Sequence, residues 1–223
     1  MGIKAMSQST PARQRASGWL FIVAALFFIG FGVTMTVEQA YALKFYRPTD
    51  ATIVGGVVAS KRGTRGGTTY RANIHYTYYA GGRLRHSNQV TAIDTDPGED
   101  WAERTVANFP PGKATVAYVS TKDPDKVYLV KESFFVPYLF VLFPVGHLIA
   151  GLMTALDGSR YSVERLCLAV WMGVGLLAGV HYLWIATQFE WLAVITFAAY
   201  GFVGVLGFRD VARERRTHRL RPS

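Results

Sequence analysis

Two histidines, His75 and His86, are the residues with the clearest potential for metal chemistry. They lie in Ile74-His75-Tyr76-Thr77-Tyr78-Tyr79-Ala80-Gly81-Gly82-Arg83-Leu84-Arg85-His86, where Gly81-Gly82 suits the positive φ angles of a two-residue hairpin turn. A turn there sets His86 opposite Thr77 and diagonal to His75, on one face. Bound zinc wants three or four protein ligands, and Arg83 and Arg85 beside the pair repel a cation, so no metal is expected. The carboxylates Asp94, Asp96, Glu99, Asp100 and Glu103 cluster, but they lack the alternate spacing, sixth-position glycine and closing glutamate of a calcium loop. A helix cap explains them better: Asp96 as N-cap, Pro97 at the first helical position, Glu99 closing a capping box. Ser60, Ser87 and Ser120 stand in no nucleophile motif, and there is no P-loop. The single cysteine, Cys167, rules out an intrachain disulfide and a multi-cysteine zinc site. The expectation is a protein without catalytic residues or cofactor, not an enzyme.

A different chemistry would need His147, which lies in an apolar block where an ionisable side chain is a functional candidate by default. Half of the 223 residues are hydrophobic, and the apolar ones gather in four blocks. These predict transmembrane helices over 18–37, 133–156, 166–187 and 191–208, the last only just long enough to cross. A cleaved signal peptide is the rival reading of the first, because Ala40-Tyr41-Ala42 has a small-x-small pattern; its apolar run is longer than a usual signal core, which favours a retained anchor. Within such helices His147 and His181 differ in depth by roughly 12 Å at 1.5 Å per residue, too far to pair. Gly175-x-x-x-Gly179, Gly146-x-x-x-Ala150, and Gly201, Gly204 and Gly207 would let helices approach closely, within one chain or in a homo-oligomer.

Basic residues orient the helices. Lys4, Arg13 and Arg15 precede the first, Arg160 and Arg165 lie between the second and third, and an arginine-rich stretch from Arg209 follows the fourth. Both tails, 1–17 and 209–223, are therefore expected in the cytoplasm, with residues 38–132 outside, in a bacterial inner or plasma membrane. The net charge of +9 is then a matter of topology and anionic headgroups rather than nucleic acid.

The exported segment reads as strands over Ala51–Ser60, with Gly55-Gly56 as a bulge, Tyr70–Ala80 and Arg83–Thr91. A short helix presents Ala102, Val106 and Phe109 before Pro110-Pro111 stops it, and two strands follow at Ala114–Ser120 and Lys126–Val130. The fold class is thus a four-helix membrane protein plus a small α+β, mostly β module of order β-β-β-α-β-β, barrel-like or two-layer. Alternation places Ile74, Tyr76 and Tyr78 in its core and Asn73, His75, Thr77 and Tyr79 on the opposite face.

Gly56-Val57-Val58-Ala59-Ser60, Ile74-His75-Tyr76-Thr77-Tyr78 before Gly81-Gly82, Phe109-Pro110-Pro111-Gly112 with Val116-Ala117-Tyr118, and Asp123-Pro124 with Val127 and Leu129 follow a recognisable pattern. Over about 80 residues the segment resembles the domain-of-unknown-function family 3592. It departs from the family pattern at the Pro110-Pro111 doublet and at Ser120-Thr121-Lys122-Asp123. The resemblance implies a bacterial-type membrane protein with this module between helices, and it supplies no catalytic residues.

The expected function is binding: the module presents Tyr79, His75 and His86, with a basic rim of Arg83, Arg85, Lys61, Arg62 and Arg65, to a protein partner outside the cytoplasm. An envelope accessory, assembly or immunity-type role would suit it. The alternative is a small transporter or transporter subunit, with the module as lid and His147 beside Pro144-x-Gly146 as gate.

Overall fold

The structure is a computed structural model that describes residues 11–63, 66–95, 97–155, 161–187 and 190–219. The chain divides into two compact units. One holds Met35–Phe134 with Ile185–Gln188, and the other holds the remainder.

The first unit is built on β1 (Arg47–Arg62), β2 (Thr68–Ala80), β3 (Arg83–Ser87), α2 (Glu99–Asn108), β4 (Ala114–Val119) and β5 (Val127–Tyr128). The strands form one antiparallel sheet in the order β3-β2-β1-β4-β5. The segments that leave the two edge strands meet: the Val90 carbonyl accepts from the amides of Leu129 at 3.0 Å and Val130 at 2.7 Å, and Thr91 bridges Val130 in parallel. The sheet therefore curls until its edges touch beyond the ends of β3 and β5. Alternate side chains fill the inside, among them Ile53, Ile74, Tyr76, Tyr78, Val119 and Leu129, and Ala102 of α2 is buried against them. Burying each of the larger ones is worth about 1.5–3 kcal/mol, which is what holds a module this small together.

Two glycine sites set the register. Pairing shifts between Ile53 and Gly55, so Val54 is the extra residue of a bulge. At Gly81 and Gly82 the φ angles are 61° and 76°, the two positive values that a primed hairpin turn needs. Register follows from that turn, with Thr77 opposite His86.

The helix starts later than the expected cap. Gly98 is the N-cap at φ 112° with no side-chain cap bond, so Pro97 lies before the cap and the helix starts at Glu99. This φ favours glycine, and the chain bends there before helical geometry begins. Asp96 lies outside the described residues. The third strand stops at Ser87, short of Thr91, because Val90 turns into the core. β1 runs four residues earlier than expected because β4 pairs with its first part, from Arg47 to Thr52.

The second unit contains Pro11–Thr34 of α1 (Pro11–Phe45), then α3 (Val136–Ala155), α4 (Tyr161–Ile185) and α5 (Trp191–Arg219). Three described stretches are long and apolar enough to cross a membrane: Arg15–Phe45, Val136–Ala155 and Arg165–Ile185. Trp191–Leu206 is a shorter apolar helix.

Close backbone approach between helices occurs at two further glycines, Gly18 and Gly151. A Cβ on Gly18 would stand 2.7 Å from the Ala155 amide nitrogen, and one on Gly151 would stand 2.8 Å from the Gly18 carbonyl. Here α1 and α3 touch backbone to backbone. Gly175 and Gly179 instead receive the rings of Tyr200 and Phe197, and nothing lies within 4 Å of a Cβ on Gly201. The indole of Trp171 stacks on Tyr200 at 3.9 Å between centroids and donates to its carbonyl at 2.9 Å. Rings at Gly175 and Gly179, and the Met172 thioether at Gly204, occupy the space these glycines leave between α4 and α5.

Candidate protein-binding face

The outer face of the sheet follows from the pairing. β2 turns Ile74, Tyr76 and Tyr78 inward, so His75, Thr77 and Tyr79 point out. Their partners do too: Tyr79 lies opposite Leu84, Thr77 opposite His86, and His75 opposite Gly55. The next outward pair across β1 and β2 is Val57 with Asn73. Tyr79 is 62% exposed, Leu84 60%, Val57 59% and the bulge residue Val54 59%. These values matter because most other large apolar side chains of β1 and β2 are buried or half-buried. Tyr79 holds its ring in place by donating to the Gly82 carbonyl at 2.8 Å. The face thus combines aromatic, aliphatic and imidazole groups on a rigid sheet.

The five residues expected to act together are split. Tyr79, His75 and His86 share the outer face, whereas Arg85 pairs opposite inward-facing Tyr78 and Arg83 opposite Ala80. Arg85 is a structural cation: its Nε donates to the Ala80 carbonyl at 3.1 Å and its guanidinium pairs with Asp125, leaving the side chain 10% exposed. Tyr78 reaches the same loop by donating to the Pro124 carbonyl at 2.9 Å. Together they tie the β2–β3 hairpin to the β4–β5 turn. Arg83, Lys61 and Arg62 are exposed, and Arg65 lies outside the described residues.

The inward tyrosines are hydrogen-bond donors and not acids. Tyr76 donates to the Gln89 carbonyl at 2.8 Å and Tyr128 to the Ala42 carbonyl at 3.2 Å. Burial pushes both hydroxyls well above their ordinary pKa, so they stay neutral at physiological pH. Among the described residues no three His, Cys, Asp or Glu come together as a metal site would need.

Within the helical unit, His147 is exposed on α3 and lines an open apolar groove of about 590 Å³ with Phe21, Phe28, Phe140, Phe143 and Pro144. His181 has a partner that sequence reasoning missed: its Nδ1 is 2.7 Å from the Tyr138 hydroxyl. A signal was available, because Tyr138 sits near the start of α3 and His181 near the end of α4, and antiparallel neighbours bring those positions level.

Residues 49–134 match the model of a family described as a domain of unknown function, DUF3592. The match runs from β1 through α2 and β5 to Phe134, and so contains the outer face, the Arg85 tie and nearly all of the sheet. It agrees with the resemblance drawn from the residues. No curated protein matches the chain.

Proposed function

We propose that this chain is an integral membrane protein, not an enzyme, whose DUF3592 module binds a protein partner outside the cytoplasm through the outer sheet face. In this reading all four apolar helices cross, Trp191–Leu206 extended by the next turn, with both termini in the cytoplasm of a bacterial inner or plasma membrane. The observation that carries it is the patch itself: Tyr79 and Leu84 directly opposite one another, with Val57 and Val54 nearby, all more than half exposed. Aromatic and aliphatic anchors on a rigid surface are what partner binding uses, and such a grouping costs solubility without a partner. An envelope accessory, assembly or immunity-type role fits a module displayed this way.

The transporter reading has less behind it: among the described residues that line the groove with Phe21, Phe143 and Pro144, His147 is the one ionisable side chain. Photocrosslinking from position 84, with position 83 on the other face as control, tests the binding proposal. An adduct at 84 alone supports it.

A further inference from the structure

The apolar run of α1 ends at Val37, yet the helix continues unbroken to Phe45. At 1.5 Å per residue Tyr41 lies about 6 Å beyond that run and Tyr46 about 13 Å. The headgroup layer on each side of a bilayer is roughly 5–7 Å thick, so the Tyr41 ring stands within it and Tyr46 just outside, facing the headgroups from the aqueous side. A chain of aromatic contacts runs outward from Tyr41: Tyr41 to Tyr46 at 6.0 Å, Tyr46 to Tyr128 at 5.7 Å, and Tyr128 stacked on Tyr118 at 5.2 Å. The Tyr128 hydroxyl bonds the Ala42 carbonyl, which locks the sheet side of the cluster to the helix.

Two exposed lysines flank the cluster. Lys122 Nζ lies 5.4 Å from the centroid of the Tyr41 ring, and Lys131 Nζ lies 5.1 Å from that of Tyr118. Lys44 and Arg47 add positive charge on the same stretch, against Asp123 and Glu38, which add to burial in raising the hydroxyl pKa of Tyr46. Phe45, 57% exposed, stands beside Tyr41 at 5.3 Å. An ammonium held over the partly exposed Tyr41 ring at headgroup depth, with a second over Tyr118 further out, matches a phosphate approached from the aqueous side and a glycerol backbone against Tyr41. Outside the cytoplasm such lysines are not topology signals, so their placement calls for another cause.

We infer that the ledge formed by Tyr41, Tyr46 and Tyr118 with Lys122 and Lys131 binds the headgroup of an anionic phospholipid. The inference rests on the membrane reading above and goes beyond it by naming the lipid class and the residues. It is tested with the full-length protein in lipid nanodiscs that carry a photoactivatable phosphatidylglycerol or, in parallel, a photoactivatable phosphatidylcholine.

The expected result is preferential labelling by phosphatidylglycerol, mapped to peptides around Tyr41–Arg47 and Lys122–Lys131. The double variant Lys122→Gln/Lys131→Gln should lower it by roughly fivefold or more, as one to two surface charges imply. Both lysines are exposed, so the fold is retained. Equal labelling by the two lipids, unchanged labelling of the double variant, or an equal loss in a Lys61→Gln/Arg62→Gln control would overturn the site. Release of the protein from membranes by alkaline carbonate would overturn the membrane reading instead. A carbonate-resistant protein that fails the lipid test loses only the headgroup site.

Discussion

The side chain of Gln39 bonds both backbone groups of Phe134: its Nε2 donates to the carbonyl at 3.1 Å and its Oε1 accepts from the amide at 2.9 Å. Gln39 is wholly buried, so water cannot replace either bond. The amide thus acts as a short strand partner for the chain as it enters α3, and joins segments 95 residues apart.

Gln39→Leu leaves a buried amide and a buried carbonyl without partners, each costing about 1–3 kcal/mol. Thermal unfolding of the purified protein in detergent should show a large fall in midpoint. An unchanged midpoint would mean the Gln39–Phe134 bonds contribute nothing net.

Arg85 and Arg83 have opposite prospects. Arg85→Ala removes the bond to the Ala80 carbonyl and the pair with Asp125, whose exposure discounts its share, and should cost about 1–2 kcal/mol. Arg83→Ala should fall within about 0.5 kcal/mol of the parent. Urea unfolding of the two variants side by side reads the difference.

Much of the sheet was legible because its signals are local. Gly81-Gly82 dictated a hairpin, and Ile74, Tyr76 and Tyr78 alternated onto one face, which placed His75, His86 and Tyr79 together. Arg83 and Arg85 look like a rim in the sequence because charge suggests exposure. Their side of the sheet depends on strand parity, and the Asp125 that holds Arg85 comes from a turn 40 residues away. Helix ends were hidden for a related reason. Apolar length marks a crossing, but Glu38-Gln39-Ala40 and Ala42-Leu43-Lys44 are good helix formers that prolong α1 without adding hydrophobicity. The Gly98 cap was missed because Asp96, Pro97 and Glu99 spell an N-terminus that this backbone does not adopt.

Burial raises the hydroxyl pKa of Tyr76 and Tyr128 above the ordinary value of 10.0. Above pH 10 the unfolded chain loses these protons while the folded chain keeps them, so stability falls as pH rises. The loss approaches about 1.4 kcal/mol per pH unit for each group and is absent below about pH 9. Tyr76→Phe loses the bond to the Gln89 carbonyl and starts from a lower unfolding midpoint at pH 8, and between pH 9 and 11 its midpoint should fall less steeply than the parent's, so the gap narrows at the alkaline end.

The two histidines of the apolar helices should separate cleanly. His181→Ala breaks the bond to Tyr138 and should lower stability by about 0.6 kcal/mol, and by no more than about 1.7. His147→Ala alters an open apolar groove and should leave the unfolding midpoint in detergent unchanged.

The central claim is that the outer sheet face meets a partner. It is tested most directly in living cells by placing a photocrosslinking residue at position 57, 79 or 84, with position 83 and the arm position 61 as controls. The account predicts one common adduct from 57, 79 and 84, none from the controls, and its loss from 57 when Tyr79 and Leu84 are changed to serine. No adduct from the face, or the same adducts from face and control positions, would contradict it.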